Sequence, residues 1–468
     1  MNQVVKTLTK GTLWLSLFAV IQSAAAAGLV DVWRAAAQND KEYAVDRADQ
    51  ATAAPRRDQA SSLWRPSVGL TASAGVGTNE TQTRGAQFSA PGFGQSTGVG
   101  FSTSINNGTA GRWAVVATQP LYNPARRAQQ NQLTLSADLA DLQWQAAGQA
   151  LMLRTAQRYF ELAIAEETVK VLRQQLDAVQ HASTEAQDRF KLGSVPVTDT
   201  HEARARMAGV RAQLQAAESE LQIKRNLLAD STGLAETELV MNMPGPMRRG
   251  DVAEPVLRPL EPWLNEAQAG NPTIRAQMLA LELARQEATK YSRLSSPAVD
   301  LVAQAGHDRL SGSGDYGSAS NAGTNRMIGV QLSIPLFSGG YRDAKETEAV
   351  RAADKVAAEV ERTRQQVAQQ VRAAWLGLSV GVDRVQSLEE ALAASAARRD
   401  ATKTGLEVGQ RTTLDLLNAE ADAASARLAL AQGRVGLLLD RLRLADLAGQ
   451  LDEDTLRAVD SQLIGFRP

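Results

Sequence analysis

Two short stretches hold the residues whose types and spacing could do chemistry: FKLGSVPVTD around Gly193 and LEVGQRTTLD around Gly409. Asp415 and Asn418 are three apart, which places both on one face of a helix starting near residue 411. Thr412 followed three residues later by Asp415 is close to a capping box, and Arg411 with Asp415 is an ordinary i,i+4 pair. Gly193 and Gly409 would permit a positive φ at each turn. The chemistry on offer is therefore charge placed at two helix turns. Bond-breaking chemistry has no such basis. The Gly-rich stretches between residues 92 and 100 lack a strand-turn-helix setting, and no paired catalytic carboxylates or nucleophile elbow occur. The absence of Cys excludes disulfides, thiolate metal sites and a lipidated N-terminal Cys. His181, His201 and His307 show no metal-ligand spacing. No catalytic residue, metal site or cofactor is expected.

These turns sit in a chain whose two halves share one order: helix, strand pair, long helix, turn, helix. Trp33 matches Trp263 at an offset of 230, and WRPSVGLTASAG from Trp64 matches LSSPAVDLVAQAG from Leu294. Later offsets settle near 216, where Gly193 meets Gly409 and Asp199 meets Asp415. The drop in offset predicts a longer loop between the strands of the first half. Repeats of this size are whole structural units, not solenoid turns.

Of the 468 residues only 4% are aromatic, and Ala is abundant. That composition suits long, closely packed helices better than a globular core. With a net charge of −1 and no basic run, nothing offers a footprint for nucleic acid. Lys6 and Lys10, the apolar run from Thr12 to Ile21 and the small residues Ser23 to Ala27 predict a signal peptide over residues 1–27. No later segment is apolar enough for a spanning helix, so any further membrane crossing must be made by β-strands.

Residues 31–61 read as one helix. From Val68 the pattern turns to period two: Val68, Leu70, Ala72, Ala74 and Val76 alternate with small or polar residues, a Gly- and Ser-rich loop follows, and Arg112 to Gln119 form a second strand. In the second half Val299, Leu301, Ala303 and Ala305, then Ile328, Val330, Leu332 and Ile334, bracket the loop SGSGDYGSASNAGTN. The hairpins are placed at 66–120 and 297–336, with Pro66, Pro120, Pro297 and Pro335 at the strand to helix junctions. Trp64, Trp113, Tyr122 and Phe337 lie near the strand ends, as in an aromatic belt. Four strands cannot close a barrel, so strands that cross a membrane must close with those of other copies.

Long helices are expected over 125–188 and 342–405, and shorter ones over 197–232 and 411–449. The short helices 31–61 and 197–232 could lie end to end beside the first long one. Leu414, Ala421, Leu428, Val435 and Leu442, interleaved with Leu417, Ala424, Ala431, Leu438 and Ala445, keep a heptad register. The boundaries are then a first repeat over 28–247, a Pro-rich linker or equatorial segment over 233–262, a second repeat over 263–450 and a tail over 451–468.

Strands ending in TQPLYNP and SIPLFSGG, with helix turns RFKLGSVPVTDTHEARA and GLEVGQRTTLDLLNAEA, together resemble the TolC-like outer membrane factor family over nearly the whole mature chain. The resemblance implies an α+β membrane protein of the outer membrane and periplasm. Its fold would be a trimeric β-barrel, four strands per protomer, continued by a long α-helical coiled-coil barrel of two internal repeats. Such ducts are passive and serve tripartite systems for type I protein secretion or multidrug efflux. They catalyse nothing, and they work as homotrimers in outer-membrane lipid with a periplasmic adaptor and an inner-membrane ABC or RND transporter. By the same resemblance, Asp199 and Arg411 hold the periplasmic end closed, and Asp415 and Asn418 stand at the constriction, where three copies of Asp415 would make a ring favouring cations. Asn418 departs from an Asp of the family pattern and Leu406 from a Tyr. Adaptor contacts fall on Lys191, Leu192, Gly193, Glu407, Val408 and Gly409. The missing lipidated Cys leans the cargo towards secreted protein. The alternative is a periplasmic coiled-coil scaffold or surface adhesin whose strands are soluble hairpins.

Overall fold

The computed structural model describes residues 28–464 apart from 93, 237–238, 240, 247–257 and 316. The expected signal peptide lies outside the described residues, as do the centre of the 233–262 segment and the last residues of the tail.

The chain opens with α1 (Leu29–Asn39), α2 (Lys41–Gln50) and α3 (Ala53–Ser62), where one helix was expected over 31–61. The first break is a cap. Asp40 takes an extended backbone and its carboxylate accepts from the Tyr43 amide, starting α2 afresh. The second comes just before Pro55, which has no amide to return to the preceding turn. Past the first hairpin come α4 (Pro124–Lys191) and α5 (Val197–Thr232). The second half repeats the break: α6 (Leu260–Gly270) and α7 (Pro272–Arg293) part at Asn271, whose side chain accepts from the Thr273 and Ile274 amides. Its long helix is α8 (Tyr341–Glu407) and its last is α9 (Thr413–Leu447). The long helices have 68 and 67 residues, about 100 Å each at ~1.5 Å per residue.

The same two breaks join the short helices end to end. Asn39 Nδ2 donates to the Thr232 carbonyl that ends α5 (2.7 Å), and Asn271 Nδ2 donates to the Leu447 carbonyl that ends α9 (3.0 Å). Gly233 and Gly449 leave those ends in the left-handed region, at φ 70° and 71°. The first joint adds charge, because buried Asp40 also meets Arg154 at 2.9 Å and Arg158 at 3.4 Å. Around the first joint lies the main core, where Tyr159, Phe160, Leu228, Leu438 and Leu442 pack with α1, and around the second a separate core of Trp263, Ile274 and Leu444. Residues 453–464 belong to the main core. Helix α10 (Glu453–Asp460) buries Leu456 and Val459, the Asp460 carboxylate accepts from the Leu29 amide (2.7 Å), and Leu463–Ile464 pairs with Met243–Pro244.

The expected heptad on α9 is only one of two seams. Val435, Leu438, Leu442 and Ala445 enter the main core, while Leu430, Leu437 and Leu444, on another face, pack against Val371, Leu378 and Val385 of α8. A helix lodged between two neighbours needs two stripes, and a single seam misses the second.

The strands β1 (Ser67–Ala90), β2 (Gly94–Tyr122), β4 (Ala298–Gly314) and β5 (Gly317–Ser333) form one antiparallel sheet in the order β1-β2-β4-β5, with β3 being Met243–Pro244 and β6 Leu463–Ile464. The Gly-, Ser- and Thr-rich segments expected as loops are therefore strand over 77–90, 94–111, 311–314 and 317–325. Period-two apolarity marks only the stretch with an apolar face, and beyond it the ladder continues on backbone bonds that polar side chains do not oppose. The first half differs by a longer hairpin, not a longer loop. Trp113 consequently sits in mid-strand, and Pro120 lies inside β2 at an irregularity in its ladder. The switch to helix falls instead at Asn123–Pro124, where the Asn123 carbonyl oxygen of the side chain caps Arg126 and Pro124 takes the first helical position.

Residues paired across the ladder share a face. Val68, Ala117, Ala303 and Ile328 make one row, and Leu70, Val115, Ala305 and Arg326 the next. On this face Val68 is 70% exposed and Ile328 75%. The other face carries Thr71, Ala114, Gly306 and Asn325, with Arg112 directly opposite Asp308. An apolar surface left bare on one side of a sheet is an interaction surface. Among the described residues no helix is long and apolar enough to cross a membrane.

Candidate functional site

Helices α4 and α5, and α8 and α9, form two antiparallel hairpins whose turns have the same build. Helix α4 ends as the Gly193 amide donates to the Phe190 carbonyl, and α8 ends as the Gly409 amide donates to the Leu406 carbonyl. Gly193 has φ 72° and Gly409 φ 77°, with open space where a Cβ would lie, so backbone conformation alone explains both glycines. Each turn pushes an apolar side chain into solvent: Leu192 is 80% exposed and Val408 64%. Lys191 pairs with Asp188 (2.8 Å), and Glu407 is the last helical residue of α8.

The two helices that leave these turns start differently. Helix α5 follows Pro196 with no side-chain cap, and Asp199 sits in its first turn, half-buried, with no ion-pair partner among the described residues. Helix α9 starts on a complete capping box. The Asp415 amide donates to Thr412 Oγ1 (3.1 Å), while the Thr412 amide and hydroxyl each donate to Asp415 Oδ2 at 3.0 Å. Those bonds from Thr412, helped by the charges of Arg411 and Arg398, hold the Asp415 carboxyl below the usual carboxylate range. Arg411 keeps an exposed guanidinium while its stem lies over Gly405, where a Cβ would come within 2.7 Å of Arg411 Cγ. The structure thus groups Arg411, Thr412 and Asp415 at one turn. It does not join Asp199 to Arg411 within the protomer.

Asn418 is exposed and lines a groove of about 640 Å³ between α5 and α9. Across the groove, Glu202 and Arg206 of α5 were not singled out from the sequence. They share a helix face with Asp199 at i+3 and i+7, and that spacing was the signal available. Leu414, Ala421, Ala424 and Leu428, the turn-proximal part of the expected heptad, line this groove instead of a packed seam. Ion pairs fix α9 to its other neighbours: Arg398 to Asp422 (2.7 Å) and Arg434 to Glu389 (2.6 Å) with α8, and Arg427 to Glu167 (2.7 Å) with α4. Among the described residues none crosses from α5 to α9.

A family model described as Outer membrane efflux protein matches residues 32–234 and 263–450, leaving out the equatorial segment between the two halves. The chain belongs to that family. Among relatives of this outer membrane efflux protein, Outer membrane protein TolC of Escherichia coli (strain K12) is 25% identical over 458 residues, which cover 96% of this chain and 87% of the relative. Alkaline protease secretion protein AprF of Pseudomonas aeruginosa is 27% identical over 356 residues, 74% of this chain and 71% of AprF. In fold, the chain is similar to the outer membrane protein VceC of Vibrio cholerae, with a TM-score of 0.68 at 19% identity over 90% of this chain and 96% of that one. The open-state MtrE outer membrane channel of Neisseria gonorrhoeae gives a TM-score of 0.64 at 17% identity, covering 92% and 91%. An outer membrane efflux protein is located in the outer membrane and reaches into the periplasm, which accounts for a sheet with a bare apolar face joined to helices about 100 Å long.

Proposed function

We propose that three copies of this chain close into a twelve-stranded outer-membrane barrel and an α-helical tunnel, forming the passive exit duct of a tripartite export system. The observation that carries the reading is the strand order: β1 and β5 are both edges of a sheet whose outward face is apolar. In lipid each unpaired edge group costs several kcal/mol, so β5 of one copy must meet β1 of the next. Pairing with further copies of the chain satisfies both edges, and three sets of four strands make an even-numbered barrel.

At the other end, the α4–α5 and α8–α9 turns are the surface for a periplasmic adaptor, through Lys191, Leu192, Gly193, Glu407, Val408 and Gly409. Bare Leu192 and Val408 favour an apolar grip. An inner-membrane ABC or RND transporter completes the assembly. Opening separates α5 from α9 along the groove that no ion pair among the described residues bridges, with Asp199 and Arg411 serving as latch partners across protomers. Asp415 and Asn418 line the constriction, and the duct itself catalyses nothing. Protein cargo is favoured because AprF and PrtF, by their names, serve protease secretion. The test is single-channel recording of purified trimers in planar bilayers, with wild type giving small cation-selective openings and Arg411→Ser larger or longer ones. Folded trimers that insert but show no ion selectivity would remove Asp415 from the constriction. Protein that never enters bilayers would overturn the duct.

A further inference from the structure

On the inner face of the sheet Arg112 stands directly opposite an acid, Asp308. The outward face is different. Above its apolar rows Trp113, His307 and Thr324 form one row, Arg309 stands next along β4, and Arg326 lies diagonal to His307 on β5. Arg309 and Arg326 are exposed, with no carboxylate in ion-pair distance among the described residues, and the rows from Leu70 to Ala74 contain no acid on this face. His307 Nδ1 is 3.0 Å from Thr324 Oγ1, which orients the ring within the group.

The depth of this cluster follows from β2. Tyr122 and Trp113 point outward nine positions apart, 56% and 47% exposed. That is about 30 Å of strand, or about 23 Å of bilayer at a tilt of about 40°, close to the height of ~25 Å for an outer-membrane apolar band. With Tyr122 beside the periplasmic helices, Trp113 marks the opposite, outer border. A basic side chain facing lipid is costly at the midplane and nearly neutral at the interface, where anionic headgroups attract it.

We propose that Arg309 and Arg326, with His307 and Trp113 between them, bind the phosphate groups of a phosphorylated glycolipid in the outer leaflet. The inference rests on the barrel reading above. Arg recognises phosphate through paired N–H donors, and Trp supports the ring-and-chain boundary of a lipid. The site is continuous with the lipid-facing band, and its sign is opposite to that of the ligand.

The experiment uses full-length trimers, checked for bilayer conductance, and measures retention of bisphosphorylated lipid A by native mass spectrometry. At about fivefold per arginine near an anionic surface, R309Q/R326Q should bind roughly 30-fold more weakly, with R309K/R326K recovering most of the loss. Lipid A stripped of phosphate should bind wild type no better than the double variant. Equal retention by wild type and the double variant would overturn the site, as would inorganic phosphate alone binding as tightly as the lipid. Conducting trimers that fail this test leave the duct standing. Wild-type protein without conductance or insertion removes the barrel, and the lipid site with it.

Discussion

The equator and the turn ends of this molecule are made from the same Ala-rich helices and are held in different ways. At the equator α1, α4, α5, α9 and α10 converge on Tyr159, Phe160 and Leu442, both helix joints are closed by asparagine side chains, and Asp40 is clamped by two arginines. At the turn ends a smaller core joins α4 and α5 to α9 through Leu417 alone, and beside it α5 and α9 face each other across an open groove. Composition does not decide which end is rigid; convergence of several elements does. The proposed tunnel, assembled throughout while one end opens, would need this gradient.

The largest test of the contrast is Phe160→Ala at the equator against Leu414→Ala at the groove. Phe160 is fully buried, and its loss should cost about 4 kcal/mol, whereas Leu414 is 45% exposed and its loss should stay within about 0.5 kcal/mol. Denaturant unfolding of both variants gives the comparison, and equal losses would mean that the groove is packed in the assembled protein.

A second equatorial test uses pH. Burial pushes the Asp446 carboxyl on α9 up to about 6. A carboxyl raised in the folded state favours folding below its unfolded value near 3.8, and that contribution is lost as pH rises through 6. Relative to wild type, Asp446→Asn should therefore gain stability between pH 4 and 6.5, by about 3 kcal/mol at most. A flat difference across that window would mean that a neighbouring protomer supplies Asp446 with a cation.

At the turn ends the contrast narrows to the two helix starts. Thr412→Ala removes the hydroxyl that accepts from the Asp415 amide and should cost about 1 kcal/mol. Helix α5 has no side-chain cap to lose. Hydrogen exchange should show residues 413–416 opening as readily as 197–200 in the variant, and more slowly in wild type. If the two starts already exchange alike in wild type, the capping box does not distinguish them.

The helices, the apolar strand face and both glycine turns were legible because each has a local cause: a period, a lipid-facing row or a positive φ. The joints were not read. Asp40 and Asn271 look like tolerable polar residues inside long helices, although cap-forming residues at an offset of 231 in both halves were a usable sign. The upper hairpins were misread because Thr, Ser and Gly mark loops only when no ladder is within reach. The site was half legible. Thr412 and Asp415 form their box from adjacent residues, but Glu202 and Arg206 gain meaning only from α9 across the groove.

The smallest expected effect, and the most direct test of the turn end, is the charge of Asp415. Asp415→Asn keeps an oxygen that can accept from Thr412 and removes only the negative charge, so the fold should persist. If three such carboxylates encircle the path, cation preference should fall a few-fold, and mainly at low salt, because at about 0.1 M ions screen charge beyond about 10 Å. Thr412 holds the carboxyl below its usual value, so wild-type selectivity should survive acidification past pH 4, where an unaided aspartate is already half neutralised. Reversal potentials in a salt gradient, taken from pH 7 down to 3.5, read both effects together. Selectivity that titrates near pH 4 or above would assign it to other carboxylates, with Glu202 facing the same groove as the next to change.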